Sequence, residues 1–305
     1  MTAAVKLGTR FLGVAMNSPV LTASGTSGFG EELKDFGDLS LLGGVVAKTV
    51  TPLARRGNPM PRISETPMGM INAIGLENVG IDRFLVEVAP RFLELPCPSI
   101  MNIAGFTVEE YGMMAEKVDP LGFDIIEING SCPNVEAGGR VFCDDPKLTA
   151  EVTRAVRSRC KAPIMMKLSP NVSNIVAIAK AAVDAGADGL SLINTLVGTS
   201  VDWRKKRRGT AFGTGGLSGP AVKPVALRMV DQVCAALPKT PVCAIGGVSS
   251  AEDVCEFLAL GAQVVQVGTA LFRNPAAAFD IVADLPGVLA QAGYDDVNKL
   301  IGVMR

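Results

Sequence analysis

Asp124-Ile-Ile-Glu-Ile-Asn129 is a near-continuous apolar run, and Ile164-Met-Met-Lys-Leu168 repeats the pattern after an amphipathic stretch at Pro146–Ser158. Apolar strands separated by helices predict a parallel sheet covered on both faces. Working outward from this unit finds further strand candidates at Pro19–Ser24, Gly44–Val50, Ser99–Ala104, Gly189–Asn194, Val242–Gly246 and Val264–Gly268. Helical patterns recur between them at Val108–Lys117, Ile175–Ala185, Val222–Leu237 and Ala251–Leu260. Thr107 ahead of Glu109-Glu110, and Ser250 ahead of Glu252-Asp253, read as helix N-caps. Eight strand candidates in 305 residues imply an α/β fold, a closed (β/α)8 TIM barrel rather than an open sheet. A hairpin, Val5–Leu7 and Phe11–Ala15 around Gly8–Arg10, is expected to plug the barrel bottom. Gly, Pro and charge are spread evenly, so a single domain over 1–305 is expected.

Hydrophobic residues make up 48% of the chain and charged residues 19%, which excludes a disordered polymer. Lys+Arg 29 against Asp+Glu 30 leaves no global field to draw the chain to nucleic acid or an anionic membrane. The basic run Arg204-Lys-Lys-Arg-Arg208, beside Trp203 in the long connection Leu196–Pro220, therefore reads as a solvated loop over the barrel mouth. Histidine is absent, which removes Ser-His-Asp and Cys-His catalysis and His-ligated metals. The seven cysteines form no Cys-x-x-Cys pair, so neither structural zinc nor an iron–sulfur cluster is expected on this chain. Their odd number, with no secretory signal at Met1–Arg10, fits a reducing cytoplasm. The longest uncharged span, Phe11–Gly30, is broken by Asn17, Pro19 and glycines and is not a membrane helix.

In a parallel barrel the reactive side chains gather at the carboxyl ends of the strands. Those ends are Ser24, Lys48-Thr49, Asn102, Asn129, Lys167, Asn194-Thr195, Gly246-Gly247 and Gly268-Thr269. Buried amides and ammonium groups are costly unless partnered, so several aimed at one mouth indicate a ligand site. Loops after strands seven and eight commonly take phosphate, and both glycine-bearing ends fall there. Spacing alone leaves FMN, PLP and a phosphosugar open, since Lys167 could serve more than one of them. Gly213-Thr-Gly-Gly216 lacks the strand–GxGxxG–helix context of a dinucleotide site. Cys132, between Ser131 and Pro133, sits among polar residues and could act as a general base. Cys160, Cys234, Cys243 and Cys255 read as small buried hydrophobes.

Asn-Gly-Ser-Cys-Pro-Asn-Val at 129–135 resembles the Asn-x-Ser-Cys-Pro-Asn signature of class 1 dihydroorotate dehydrogenases. The likeness continues through Lys48-Thr-Val-Thr51, Gly57-Asn-Pro59, Gly69-Met-Ile-Asn-Ala-Ile-Gly-Leu76, Lys167-Leu-Ser-Pro-Asn171, Gly215-Gly-Leu-Ser-Gly-Pro-Ala221, Gly246-Gly-Val248 and Val267-Gly-Thr269. Gly138-Gly139 and the loop lengths resemble subclass 1B. The resemblance implies oxidation of dihydroorotate to orotate in pyrimidine (UMP) synthesis, with the C5 proton going to Cys132 and the C6 hydride to FMN. It implies FMN contacts at Ser24, Lys48, Thr49, Asn102, Asn129, Lys167, Ile193, Gly219, Gly246, Gly247, Gly268 and Thr269. It also implies substrate contacts at Lys48, Asn72, Ala73, Ile74, Gly75, Leu76, Asn129, Asn134, Asn194 and Thr195. A homodimer core would sit in a heterotetramer with a subunit carrying FAD and a [2Fe–2S] cluster, which passes electrons to NAD. A fumarate-linked subclass 1A enzyme, a dihydropyrimidine dehydrogenase-like enzyme and a redox-silent flavin-binding subunit are the alternatives. Gly130 stands where the family carries a bulkier apolar residue, and glycine there is expected to forfeit packing and add backbone freedom at a cost of ~1 kcal/mol, loosening the loop that carries Cys132.

Overall fold

The computed structural model describes residues 5–131, 133–134 and 140–305. The barrel strands are Val20–Thr22 (β1), Gly44–Val46 (β2), Ser99–Ile103 (β3), Ile125–Asn129 (β4), Ile164–Leu168 (β5), Gly189–Leu192 (β6), Val242–Ile245 (β7) and Val264–Val267 (β8). Each is parallel to its neighbour in chain order, and β8 pairs with β1 to close the barrel. All eight expected strands are present; most of the polar strand ends fall at or just past the last paired residue, while Asn102 and Lys167 each sit one residue before it. The five expected helices are Val108–Val118, Pro146–Arg157, Ile175–Asp184, Lys223–Ala236 and Ala251–Ala259. Thr107 accepts a hydrogen bond from the Glu110 N–H at 3.1 Å, and Ser250 forms a capping box with Asp253.

Period-two alternation sorts the barrel interior into layers. The lowest holds Leu21, Val46, Ile100, Ile125, Met165, Cys243 and Val264, packed with Phe11 and Met16 of the hairpin. Strand β6 supplies only Gly189 here, where a Cβ would lie 2.8 Å from Leu12 Cδ2, so the hairpin tip takes the eighth side chain's room. The hairpin thus plugs the bottom as expected, but its strands are Thr9–Phe11 and Val14–Met16 rather than the boundaries read from the sequence. It turns at Leu12-Gly13, where φ of 49° and 84° matches a two-residue hairpin turn, and Gly8–Arg10 is not the turn. Lys6 instead bridges to Asp296.

The connection Leu196–Pro220 is not simply a solvated loop. Its ends, Leu196–Gly198 and Gly215–Ser218, pair with each other and with Gly69–Asn72 and Ile63–Thr66 in a four-stranded antiparallel sheet. The strands approach so closely that a Cβ on Gly69 would lie 1.9 Å from the Ser218 carbonyl oxygen. The basic run lies on an exposed ribbon formed by Val201–Asp202 and Arg207–Arg208, with the Arg204 guanidinium stacked on Trp203 at 4.4 Å. Among the described residues no helix is long and apolar enough to cross a membrane.

Candidate active site

Two residues above the apolar floor, six of the eight inward positions become polar, Lys48 on the turn after β2, Asn102 on β3, Glu127 on β4, Lys167 on β5, Ser191 on β6 and Gln266 on β8, while Ala23 after β1 and Ile245 on β7 stay apolar. Above this layer opens a cavity of about 1180 Å³, roofed by the four-stranded sheet. It is lined by Ser24, Lys48, Thr49, Asn72, Ala73, Ile74, Gly75, Leu76, Asn129, Lys167, Ile193, Asn194, Thr195, Gly219, Gly246, Gly247, Gly268 and Thr269. Residues from widely separated parts of the chain thus converge on one space, as the strand-end rule requires.

Asn102 does not line it. The residue is fully buried, and its Nδ2 donates to Glu127 Oε2, its register partner on β4. That carboxylate anchors one end of the amide, in the same layer as Lys48 and Lys167. Asn102 Oδ1 has no protein partner. Cys132 lies outside the described residues, as do Gly138, Gly139 and the side chain of Asn134.

The amides at the mouth hold one another. Asn194 Nδ2 donates to Ser131 Oγ at 2.5 Å and approaches Asn129 Oδ1 at 3.4 Å. Asn129 Nδ2 reaches Thr49 Oγ1 at 3.5 Å, and the Tyr111 hydroxyl donates to the Asn129 carbonyl at 2.7 Å. Asn171 links the roof to the barrel, donating to the Thr195 carbonyl at 3.0 Å and accepting from the Val197 N–H at 2.9 Å. Leu76 has φ of 57°, a left-handed conformation that costs a non-glycine residue ~1–3 kcal/mol and is common at ligand clamps. The Asn78 side chain holds that turn by donating to the Leu76 carbonyl at 2.7 Å.

After β7 the chain turns at Gly246 and Gly247, with φ of 125° and 81°. A Cβ on Gly247 would lie 2.6 Å from Lys223 Cβ, so both conformation and space demand glycine. Asp253 stabilises the neighbouring loop, accepting from Lys223 Nζ at 2.6 Å, the Ser249 N–H at 2.7 Å, the Ser249 hydroxyl at 2.9 Å and the Ser250 N–H at 3.0 Å. Burial works against its charged form, yet Lys223 and the Ser249 donors keep its carboxyl below the ordinary aspartate value.

Gly130 is buried, and the space its side chain would fill is occupied: a Cβ there would lie 3.0 Å from Cys143 Cβ and 3.6 Å from Met166 Sδ. The expected packing loss is therefore corrected, because Cys143 folds over the strand end and donates its N–H to the Gly130 carbonyl at 3.1 Å. Its thiol is pushed up to about 12, first by burial and then by the Asp144 carboxylate, so it stays neutral. Burial likewise raises Cys160, Cys234, Cys243 and Cys255. Cys234 and Cys243 are the buried apolar residues expected, whereas the Cys160 thiol donates to Asp119 Oδ1 at 3.2 Å and Cys255 is only half-buried.

The sequence pattern of the family described as dihydroorotate dehydrogenase matches residues 6–289. The chain belongs to the dihydroorotate dehydrogenase family. A protein of Geotalea daltonii named dihydroorotate dehydrogenase B (NAD(+)), catalytic subunit, is 51% identical over 294 residues, covering 96% of each chain. Proteins of the same name from Anoxybacillus flavithermus (47% identical; 97% of this chain, 95% of the other) and Desulforudis audaxviator (48% identical; 98% and 97%) are similar over the same extent.

Sequence reasoning missed Glu127. It is fully buried, accepts from Ser191 Oγ at 2.8 Å and Gln266 Nε2 at 3.0 Å, and stands 3.6 Å from Lys167 Nζ. The signal was present: a glutamate inside an apolar strand, on the same inward parity as Asn129.

Proposed function

We propose that this chain is the catalytic subunit that oxidises (S)-dihydroorotate to orotate in de novo pyrimidine synthesis, with one FMN per chain. The observation that carries this reading is the convergence of Lys167, Lys48 and the amides of Asn72, Asn129 and Asn194 on one cavity beside the Gly246-Gly247 turn. The lining fits the cofactor: Lys167 offers an ammonium at the cavity floor for an electron-rich ring, and main chain without Cβ atoms can approach a phosphate. Bound there, FMN would supply a hydride acceptor for C6. The chain's own residues do the rest. Lys48 offers charge to the substrate carboxylate, and the amides supply donors and acceptors without competing charge to a planar imide. Cys132 takes the C5 proton as thiolate, the role for which a protein without histidine has few other candidates. Lys167, Ser24, Thr49, Ile193, Gly219, Gly246, Gly247, Gly268 and Thr269 hold the cofactor.

Electrons leave through a second subunit carrying FAD and a [2Fe–2S] cluster, on a homodimer core in the cytoplasm. The sequence carries no strand–GxGxxG–helix unit and no iron–sulfur cysteine spacing of its own, which supports a separate carrier. The test is binding to the FMN-loaded chain: orotate should perturb the flavin absorbance, whereas uracil, lacking the carboxylate, should not at equal concentration. The reverse preference would move the enzyme to dihydropyrimidine chemistry, and a chain that retains no flavin refutes the reading.

A further inference from the structure

Glu127 is the one fully buried carboxylate side chain among the described residues whose partners come from four other barrel strands: Asn102 on β3, Lys167 on β5, Ser191 on β6 and Gln266 on β8. Three of those partners are neutral donors. The fourth, Lys167, is a cation whose side chain is 8% exposed, and that exposure is to the cavity. A group serving packing alone has no need of charge at this depth, since a buried ion pair is often replaced by apolar residues without loss of stability. Removing one partner, by contrast, leaves an uncompensated charge in the interior. Glu127 therefore ties the position and the net field of Lys167 to the layer beneath the mouth.

We propose that Glu127 is a positioning residue: its carboxylate anchors the Lys167 ammonium at the cavity floor and tempers the positive charge that Lys167 presents to the bound cofactor. This rests on the reading of the cavity as an FMN site. Glu127 touches neither cofactor nor substrate and acts through Lys167. A flavin gains negative charge on reduction, so a nearby cation favours the reduced form and a carboxylate behind that cation weakens the preference.

The test is the two-electron equilibrium of the flavin in the FMN-loaded chain, measured against reference dyes in the wild type, Glu127→Gln, Lys167→Gln and the double variant. Glu127→Gln should move the equilibrium toward reduced flavin by about tenfold, equivalent to ~30 mV for a two-electron couple. Lys167→Gln should move it the other way, and in that background Glu127→Gln should have less than a third of its single-variant effect. An equal effect of Glu127→Gln in both backgrounds, or none in either, overturns the proposal. If Glu127→Gln alone does not fold, the double variant, which removes both charges, should be recovered folded; a double variant as unfolded as the single also overturns it. A wild-type chain that takes up no FMN refutes the flavin reading and this inference with it. A yellow wild type with uncoupled variants refutes the inference alone.

Discussion

Replacing Asp253 with alanine removes a carboxylate that accepts four hydrogen bonds from Lys223, Ser249 and Ser250. Its own side chain is 9% exposed and that of Lys223 is 25% exposed, so the ion pair is discounted as partly solvent-screened. With ~1 kcal/mol for the pair and ~1 kcal/mol for each main-chain or hydroxyl donor left without its acceptor, the loss is about 3–4 kcal/mol. Urea unfolding should register it as a lower midpoint at unchanged slope. The same substitution frees the segment next to Gly246-Gly247, so flavin should also be retained less well through gel filtration. Glu252→Ala, an exposed residue in the same helical turn, should cost under ~0.5 kcal/mol. The pH dependence has a definite sign. Asp253 titrates below its ordinary value when folded, so its contribution is complete above the unfolded aspartate value of ~3.9 and is lost as pH falls through the folded one. Lys223 titrates above its ordinary value despite burial, because Asp253 and Glu256 pair with it, so its share is lost only at pH above ~10.4. The stability gap between wild type and Asp253→Ala should be flat from about pH 5 to 8 and shrink below about pH 4. A cost no larger than that of Glu252→Ala, or a gap undiminished in acid, would refute the assignment.

Cys132→Ala should keep FMN but slow flavin reduction by dihydroorotate on the order of a hundredfold, and a wild-type rate would show that another base is at work. Lys167→Ala should impair flavin retention, measured as the flavin-to-protein absorbance ratio, whereas the exposed Arg207→Ala should not; equal loss would reject the placement of Lys167. Gly130→Val should cost about 2 kcal/mol by driving a side chain into Cys143, and Cys143→Gly should recover at least half of that in urea unfolding; strictly additive losses would contradict the swap.

The barrel was legible because its strands are short, mostly apolar runs with a polar residue or glycine at or near the carboxyl end, as in Ile164–Leu168 with Lys167. The strand-end rule alone points to Ser24, Lys48, Thr49, Asn129, Lys167, Asn194, Thr195, Gly246, Gly247, Gly268 and Thr269 at the mouth, whereas Asn72, Ala73, Ile74, Gly75, Leu76, Ile193 and Gly219 follow only from the family resemblance. The illegible parts have local causes. The helix Ala277–Gln291 carries Pro286 in its interior, a residue that reads as a breaker. The roof strands Gly69–Asn72 and Gly215–Ser218 are short and glycine-bearing, and only long-range pairing stabilises them. The Asn102–Glu127 contact is illegible because it depends on the register between β3 and β4, which neither strand's own sequence carries. The hairpin turn was misplaced because leucine is a poor marker for the left-handed conformation that Leu12 adopts.

Anaerobic addition of dihydroorotate to the isolated, FMN-loaded chain tests the central claim most directly. The flavin's long-wavelength absorbance should bleach stoichiometrically with formation of orotate, without NAD or a second subunit present. A yellow protein that dihydroorotate leaves unbleached would contradict the account, because the cavity would then bind flavin without performing the oxidation.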